Sequence, residues 1–174
     1  MEQNIYTGMM PEKPEKKIQY TIDMTRQYYN LLQTNSGESN AETYYWDGNV
    51  ATMETYGEER FYLQDDLGSP MQLLNADGMS YEAFAYDEFG LGLVDQPRNS
   101  QAFGFTGYQM DEVGGLCFAQ ARRYDPQIGR FVNEDKVRGF LETPYTMNHY
   151  GYCWNSPLDL IDLNGMFCCG QAFL

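Results

Sequence analysis

Three features predict an all-β chain. Its 174 residues carry 15 Tyr and 10 Phe beside 17 Gly, and aromatics punctuated by glycine favour strands broken by turns. Apolar residues alternate with polar ones in short runs, as at Ile18, Tyr20 and Ile22, which is the period of a half-buried strand. Those runs end repeatedly on Asp-Gly or Asp-x-x-Gly, at intervals of about 10 to 20 residues. A series of antiparallel hairpins is the expected result. Each is too small to bury its own face and depends on its neighbours, so the repeats should form a curled sheet.

In chain order, residues 1–17 are polar, with Pro11, Pro14 and a Lys-Pro-Glu-Lys-Lys cluster, and read as a flexible lead-in. Residues 18–40 read as an isolated strand and a Ser/Asn/Gly loop. Residues 41–114 read as hairpin repeats. Tyr44-Tyr45-Trp46 runs into the Asp47-Gly48 turn, and Val50 to Tyr56 returns to Gly57. Phe61 to Leu63 leads to Asp65-Asp66-Leu67-Gly68, and Met71 to Leu74 to Asp77-Gly78. Tyr81 to Tyr86 closes on Asp87-Glu88-Phe89-Gly90. The stretch Gly115 to Asp135 reads as one hairpin: a first strand through Arg122-Arg123-Tyr124, a turn at Asp125-Pro126-Gln127-Ile128-Gly129, and a second strand from Arg130-Phe131-Val132.

Composition narrows the functions open to such a chain. A net charge of −14 and a pI near 4.2 repel phosphate backbones and anionic lipid, which argues against a nucleic-acid partner. No apolar run reaches the ~20 residues of a membrane span, and residues 1–17 hold no stretch that would serve as a signal peptide. Cys117, Cys153, Cys168 and Cys169 match no zinc spacing and read as unpaired thiols. With His149 the one histidine, no metal and no cofactor are expected. Asp65-Asp66 and Asp87-Glu88 lack the alternating ligands of a calcium loop and read as turn acids. His149 itself reads as a packed strand residue.

The segment Gly115 to Asp135, GLCFAQARRYDPQIGRFVNED, resembles the signature of the RHS (YD-repeat) family, of the type Gly-Leu-Tyr-Tyr-x-x-Ala-Arg-Tyr-Tyr-Asp-Pro-x-x-Gly-Arg-Phe-x-x-x-Asp. Residues 61–68 and 75–90 resemble that family's paired repeat units, Phe103 to Tyr108 its Phe-x-Tyr-Thr-Gly connector, and Asn148 to Pro157 its Asn-x-Tyr-x-Tyr-x-x-Asn-x-Pro run. The resemblance covers residues 41–166 in the family's own order. It implies a partial β-shell ending in the RHS repeat-associated core, here residues 115–166. Only a short tail, residues 167–174, follows, with no toxin domain. Arg123, Asp125, Gly129, Arg130 and Phe131 are the signature residues expected to hold that core together. Arg122, Arg123 and Arg130, three guanidiniums in nine positions, could form a binding site but read as forks that pair with Asp125, Glu134 or Asp135 and brace the hairpin.

The family's core often ends in an aspartic self-protease written as two Asp-Pro-x-Gly-Leu boxes. The corresponding positions are Asp135-Lys136-Val137-Arg138-Gly139 and Asp162-Leu163-Asn164-Gly165-Met166. Both lack the Pro, the first has one extra residue before Gly, and the two aspartates stand 27 residues apart. By resemblance, Asp135 and Asp162 would be the catalytic pair and the cleaved bond Met166–Phe167. Two carboxylates held close cannot both ionise, so one would act as acid while the other activates water.

The resemblance implies a structural, encapsulating C-terminal piece of a polymorphic-toxin or cell-surface repeat protein, secreted or displayed. Its partners would be the remainder of an RHS shell or the toxin cargo, or further copies joined through open sheet edges. Two alternatives stand beside it: the aspartic self-protease, and a carbohydrate- or protein-binding surface module. The last requires aromatics exposed on two or more adjacent strands.

Overall fold

A computed structural model describes residues 18–26, 28–37, 41–94, 101–111, 114–166 and 169–170. The chain is all-β. Seven strands, β1 (Gln19–Asp23), β2 (Asn30–Asn35), β3 (Ala41–Asp47), β4 (Asn49–Thr55), β5 (Glu58–Gln64), β6 (Pro70–Asn75) and β7 (Ser80–Ala83), pair in sequence order. Every pairing is antiparallel.

The turns use the residues that the sequence supplies. Tyr56 and Gly57, both at positive φ (53° and 78°), join β4 to β5 in two residues, the backbone that matches strand twist. Asp65 accepts the Leu67 and Ser69 N–H groups on Oδ1 at 3.0 and 2.7 Å. Asp87 repeats this with Phe89 and Leu91 at 3.0 and 2.7 Å. The recurring Asp-x-x-Gly is therefore a turn device in which the carboxylate replaces missing backbone acceptors. Gly90, at φ +87°, also lies under Phe105, where a Cβ would come within 2.3 Å of the ring, so the turn packs against the core only as glycine.

Alternation sorts the sheet into two faces. Tyr44, Met53 and Leu73 are buried. Tyr45, Thr52, Phe61 and Leu74 share a register row across β3–β6 on the opposite face. Phe103 closes the buried face, meeting Tyr44, Trp46 and Tyr62 edge-on at 5.0, 5.3 and 6.3 Å. Two residues later Phe105 enters a second core of Tyr108, Tyr124, Phe131 and Tyr152. In that core Tyr124 and Tyr152 stand 4.6 Å apart. Aromatic pairs at these distances contribute about 0.5–1.5 kcal/mol each beyond their buried area. The segment 101–108 thus stitches two clusters together.

The second core lies on a smaller sheet of β8 (Gln109–Met110), β9 (Cys117–Ala119), β10 (Arg122–Asp125) and β11 (Arg130–Phe131), in the order β11-β10-β9-β8. A third pairing joins β12 (Leu160–Ile161) to β13 (Cys169–Gly170). The single hairpin expected over 115–135 is in fact two: β9 turns back at Gln120-Ala121 before β10 begins. Gln120 takes φ +56° without the Gly, Asn or Pro that announces a turn, and so the alternating pattern ran through it. His149 is likewise in a turn, partly exposed, and not in a strand. Cys117 and Cys153 are buried and form no disulfide. Among the described residues no helix is long and apolar enough to cross a membrane.

Candidate functional site

Arg122 opens β10, two residues before Tyr124, so both side chains fall on the buried face of the small sheet. The turn that precedes it is anchored from outside, since Ala121 donates its N–H to the Asn164 carbonyl at 3.1 Å. The guanidinium lies 3.6 Å above the Phe131 ring. Its Nη2 is 3.0 Å from Asp135 Oδ2 and 3.1 Å from Asp162 Oδ2. Its Nη1 donates to the His149 carbonyl at 3.1 Å, and its Nε to the Gly165 carbonyl. All three nitrogens are engaged, a use of the planar fork that lysine cannot reproduce.

The two aspartates predicted as a pair are therefore brought together, on one nitrogen. Asp162 is fully buried. Its Oδ1 accepts the Met166 N–H at 3.1 Å, and its backbone carbonyl accepts the Tyr108 hydroxyl. Asp135 is partly exposed. Its Oδ1 accepts the Val137 N–H at 2.7 Å, and its own N–H donates to the His149 carbonyl at 3.0 Å. Both Oδ1 atoms do what Asp65 and Asp87 do in ordinary turns. Each Oδ2, facing the arginine, sets these aspartates apart. The charge between them is a guanidinium, where the sequence reading placed a shared proton.

The 162–166 loop fits against β9–β10 only because of Gly165. It sits at φ +67°, and a Cβ there would come within 2.3 Å of the Ala119 carbonyl oxygen. The Gly165–Met166 peptide is consequently held at both ends, its carbonyl by Arg122 and its N–H by Asp162 and, at 3.0 Å, Asn164 Oδ1. A guanidinium on a carbonyl polarises it and can stabilise negative charge developing on its oxygen. Phe167, on the far side of the bond expected to be cleaved, lies outside the described residues.

The signature residues occupy distinct places around this hub. Phe131 is its floor. Asp125 Oδ1 accepts the Gln127 N–H at 2.9 Å. Gly129, at φ +63°, passes beneath Phe89, where a Cβ would approach the ring to 2.9 Å. Arg130 is exposed and bridges to Gly151 through the backbone, and Arg123 is exposed beside it. Glu134 meets His149 Nδ1 at 2.9 Å. Sequence reasoning grouped Arg122 with its two exposed neighbours and missed its reach to Asp162. The available signal was its parity with Tyr124, because an arginine at an inward position needs acceptors for its charge. Strand aromatics exposed in the large sheet are Tyr20, Tyr45, Phe61 and Tyr81. They fall on β1, β3, β5 and β7, never on neighbours.

Comparison with known proteins agrees with the fold. The teneurin YD-shell profile matches residues 18–158. Salivary gland surface protein 1 of Aedes aegypti is 28% identical over 155 residues, spanning 87% of this chain and 4% of that protein. Toxin protein Tse5 of Pseudomonas aeruginosa is 30% identical over 112 residues, spanning 63% of this chain and 8% of that protein. The Photorhabdus luminescens Tc holotoxin pore superposes with a TM-score of 0.65 at 17% identity, over 88% of this chain and 8% of that one. The chain thus spans less than a tenth of each of these relatives. With the profile match extending from before β1 to the residues just ahead of β12, the chain belongs to the teneurin YD-shell family of RHS (YD-repeat) proteins.

Proposed function

We propose that this chain is a section of wall and terminal core from an encapsulating RHS shell. The observation that carries the reading is the seven-strand antiparallel meander, paired in sequence order from β1 to β7 within the stretch that the YD-shell profile matches. A sheet built by adding hairpins in sequence order is the form that further repeats of the same kind extend into a shell wall. The Arg122 hub closes the C-terminal end by tying β10, the 135 and 149 loops and the 162–166 loop to one another. The toxin and surface-protein names of the relatives agree with a secreted or surface-displayed parent. A chimera tests this: the chain replaces the matched segment of Tse5, with a protease-sensitive reporter as cargo. Protection of the reporter within a soluble, monodisperse chimera is the expected outcome. A folded chimera whose reporter is digested as fast as free reporter would refute encapsulation.

Self-cleavage is the second reading, favoured by the convergence of Asp135 and Asp162 on Arg122 one peptide away from the expected Met166–Phe167 bond. In this reading both aspartates are catalytic, and Arg122 holds the Gly165 carbonyl of the peptide just before the scissile Met166–Phe167 bond. Intact mass should show wild type losing the residues after Met166, while Asp135→Asn and Asp162→Asn stay whole. If all three remain full length, the aspartates serve only as a structural clasp.

A further inference from the structure

The 162–166 loop satisfies its backbone differently from the turns at Asp65 and Asp87. In those turns one carboxylate serves two N–H groups, Leu67 and Ser69 in the first, Phe89 and Leu91 in the second. In the 162–166 loop two side chains serve one N–H group. Met166 donates to Asp162 Oδ1 at 3.1 Å and to Asn164 Oδ1 at 3.0 Å, although one acceptor satisfies a backbone donor.

Asn164 is tied at its backbone as well, where its carbonyl takes the Ala121 N–H at 3.1 Å. It therefore grips the chain on both sides of Gly165. Through its carbonyl it fixes the loop to the β9–β10 turn, and through its amide oxygen it fixes the start of Met166. Between these two points the Gly165 carbonyl is held by Arg122.

We propose that Asn164 is a positioning residue for self-cleavage, aligning Met166 so that Met166–Phe167 is the bond cut. The role rests on the self-cleavage reading, in which Asp135 and Asp162 work as acid and base. Water adds its hydroxyl to the Met166 carbonyl carbon and its remaining hydrogen to the Phe167 nitrogen as that peptide bond breaks, so protons pass through the aspartates. Arg122, shared with Asp135, faces Asp162 Oδ2, and the Tyr108 hydroxyl meets the Asp162 backbone carbonyl. A carboxylate that gains and loses a proton is an inconstant anchor for an N–H, because it accepts less strongly once protonated. The neutral amide of Asn164 does not titrate. It holds Met166 through both protonation states and leaves Asp162 to the chemistry.

Intact mass of the full chain, followed over time at acid and neutral pH, tests this on wild type, Asn164→Ala and Asn164→Ser. Wild type should release one fragment, beginning at Phe167, at either pH. Asn164→Ala should cleave about 10- to 100-fold more slowly, the usual consequence of a misplaced reacting bond. It should also cut at neighbouring bonds, increasingly so at acid pH as Asp162, its remaining anchor, takes up a proton. Its urea midpoint should stay close to wild type, since the Met166 N–H keeps Asp162 as acceptor. A purely structural role would instead move the midpoint and leave the cut site and its pH dependence alone. Asn164→Ser, whose hydroxyl accepts such an N–H more weakly, should fall between the two in rate and in uniformity of the cut, and it carries the comparison if the alanine variant does not fold. Either variant cutting at the wild-type rate and at one bond throughout overturns this role and leaves self-cleavage standing. A wild type that stays full length overturns self-cleavage and the role with it.

Discussion

Arg122→Ala should destabilise the fold by about 3–5 kcal/mol, the usual consequence of removing one partner from a buried ion pair. The reason is the charge left behind. Asp162 is fully buried and its Oδ2 faces the arginine, so without the guanidinium a carboxylate stays in the interior uncompensated. At the same time the Gly165 carbonyl loses the Arg122 donor and the His149 carbonyl keeps only the Asp135 N–H, and Phe131 loses the cation above it. Two further variants separate charge from packing. Arg122→Lys keeps the charge but not the fork, and should recover only part of the loss. Arg122→Ala combined with Asp162→Asn should be less destabilised than Arg122→Ala alone, because the stranded charge is gone. Urea midpoints read all three. A loss below about 1 kcal/mol for Arg122→Ala, in the range of an exposed pair, would show that the hub does not hold the core together.

The second large effect should appear at alkaline pH. Burial pushes the Cys117 thiol up from 9.0 to about 12. Burial likewise raises the Tyr44, Tyr108, Tyr124 and Tyr152 phenols above their ordinary 10.0. For each group the folded state holds its proton more tightly than the unfolded chain does. The associated stability is complete below the unfolded value and is lost as pH rises towards the folded one. Cys117 alone therefore withdraws roughly 4 kcal/mol between pH 9 and 12, and the tyrosines add to the fall above pH 10. Stability should be nearly flat from pH 7 to 8.5 and then drop steeply, with Cys117→Ala reducing the slope between pH 9 and 10. A urea midpoint unchanged at pH 10.5 would contradict this account of the second core.

Much of the large sheet was legible in the sequence because its signals are local. Asp65 and Asp87 make their turns with backbone groups two and four residues on, and Tyr44 and Met53 face inward by simple alternation. The Gln120-Ala121 turn was not legible. Its residues carry no turn preference, and the turn is anchored by Asn164, whose carbonyl receives the Ala121 N–H from 43 residues away. The candidate site divides in the same way. Asp135 and Asp162 were named from their boxes, but the box pattern says nothing of what stands between them.

The sequence by itself determined the class of fold, the turn chemistry and the family, since all three reside in short-range pattern and ordered motifs. Only the tertiary structure decided that Arg122, and not Arg123 or Arg130, carries the interior charge. Strand parity turns residues 122 and 124 to the same buried side, and the long connection from Asp135 to Asp162 brings the second carboxylate back to meet it. Which surfaces remain uncovered was also a tertiary outcome, because exposure depends on what other segments leave unpacked.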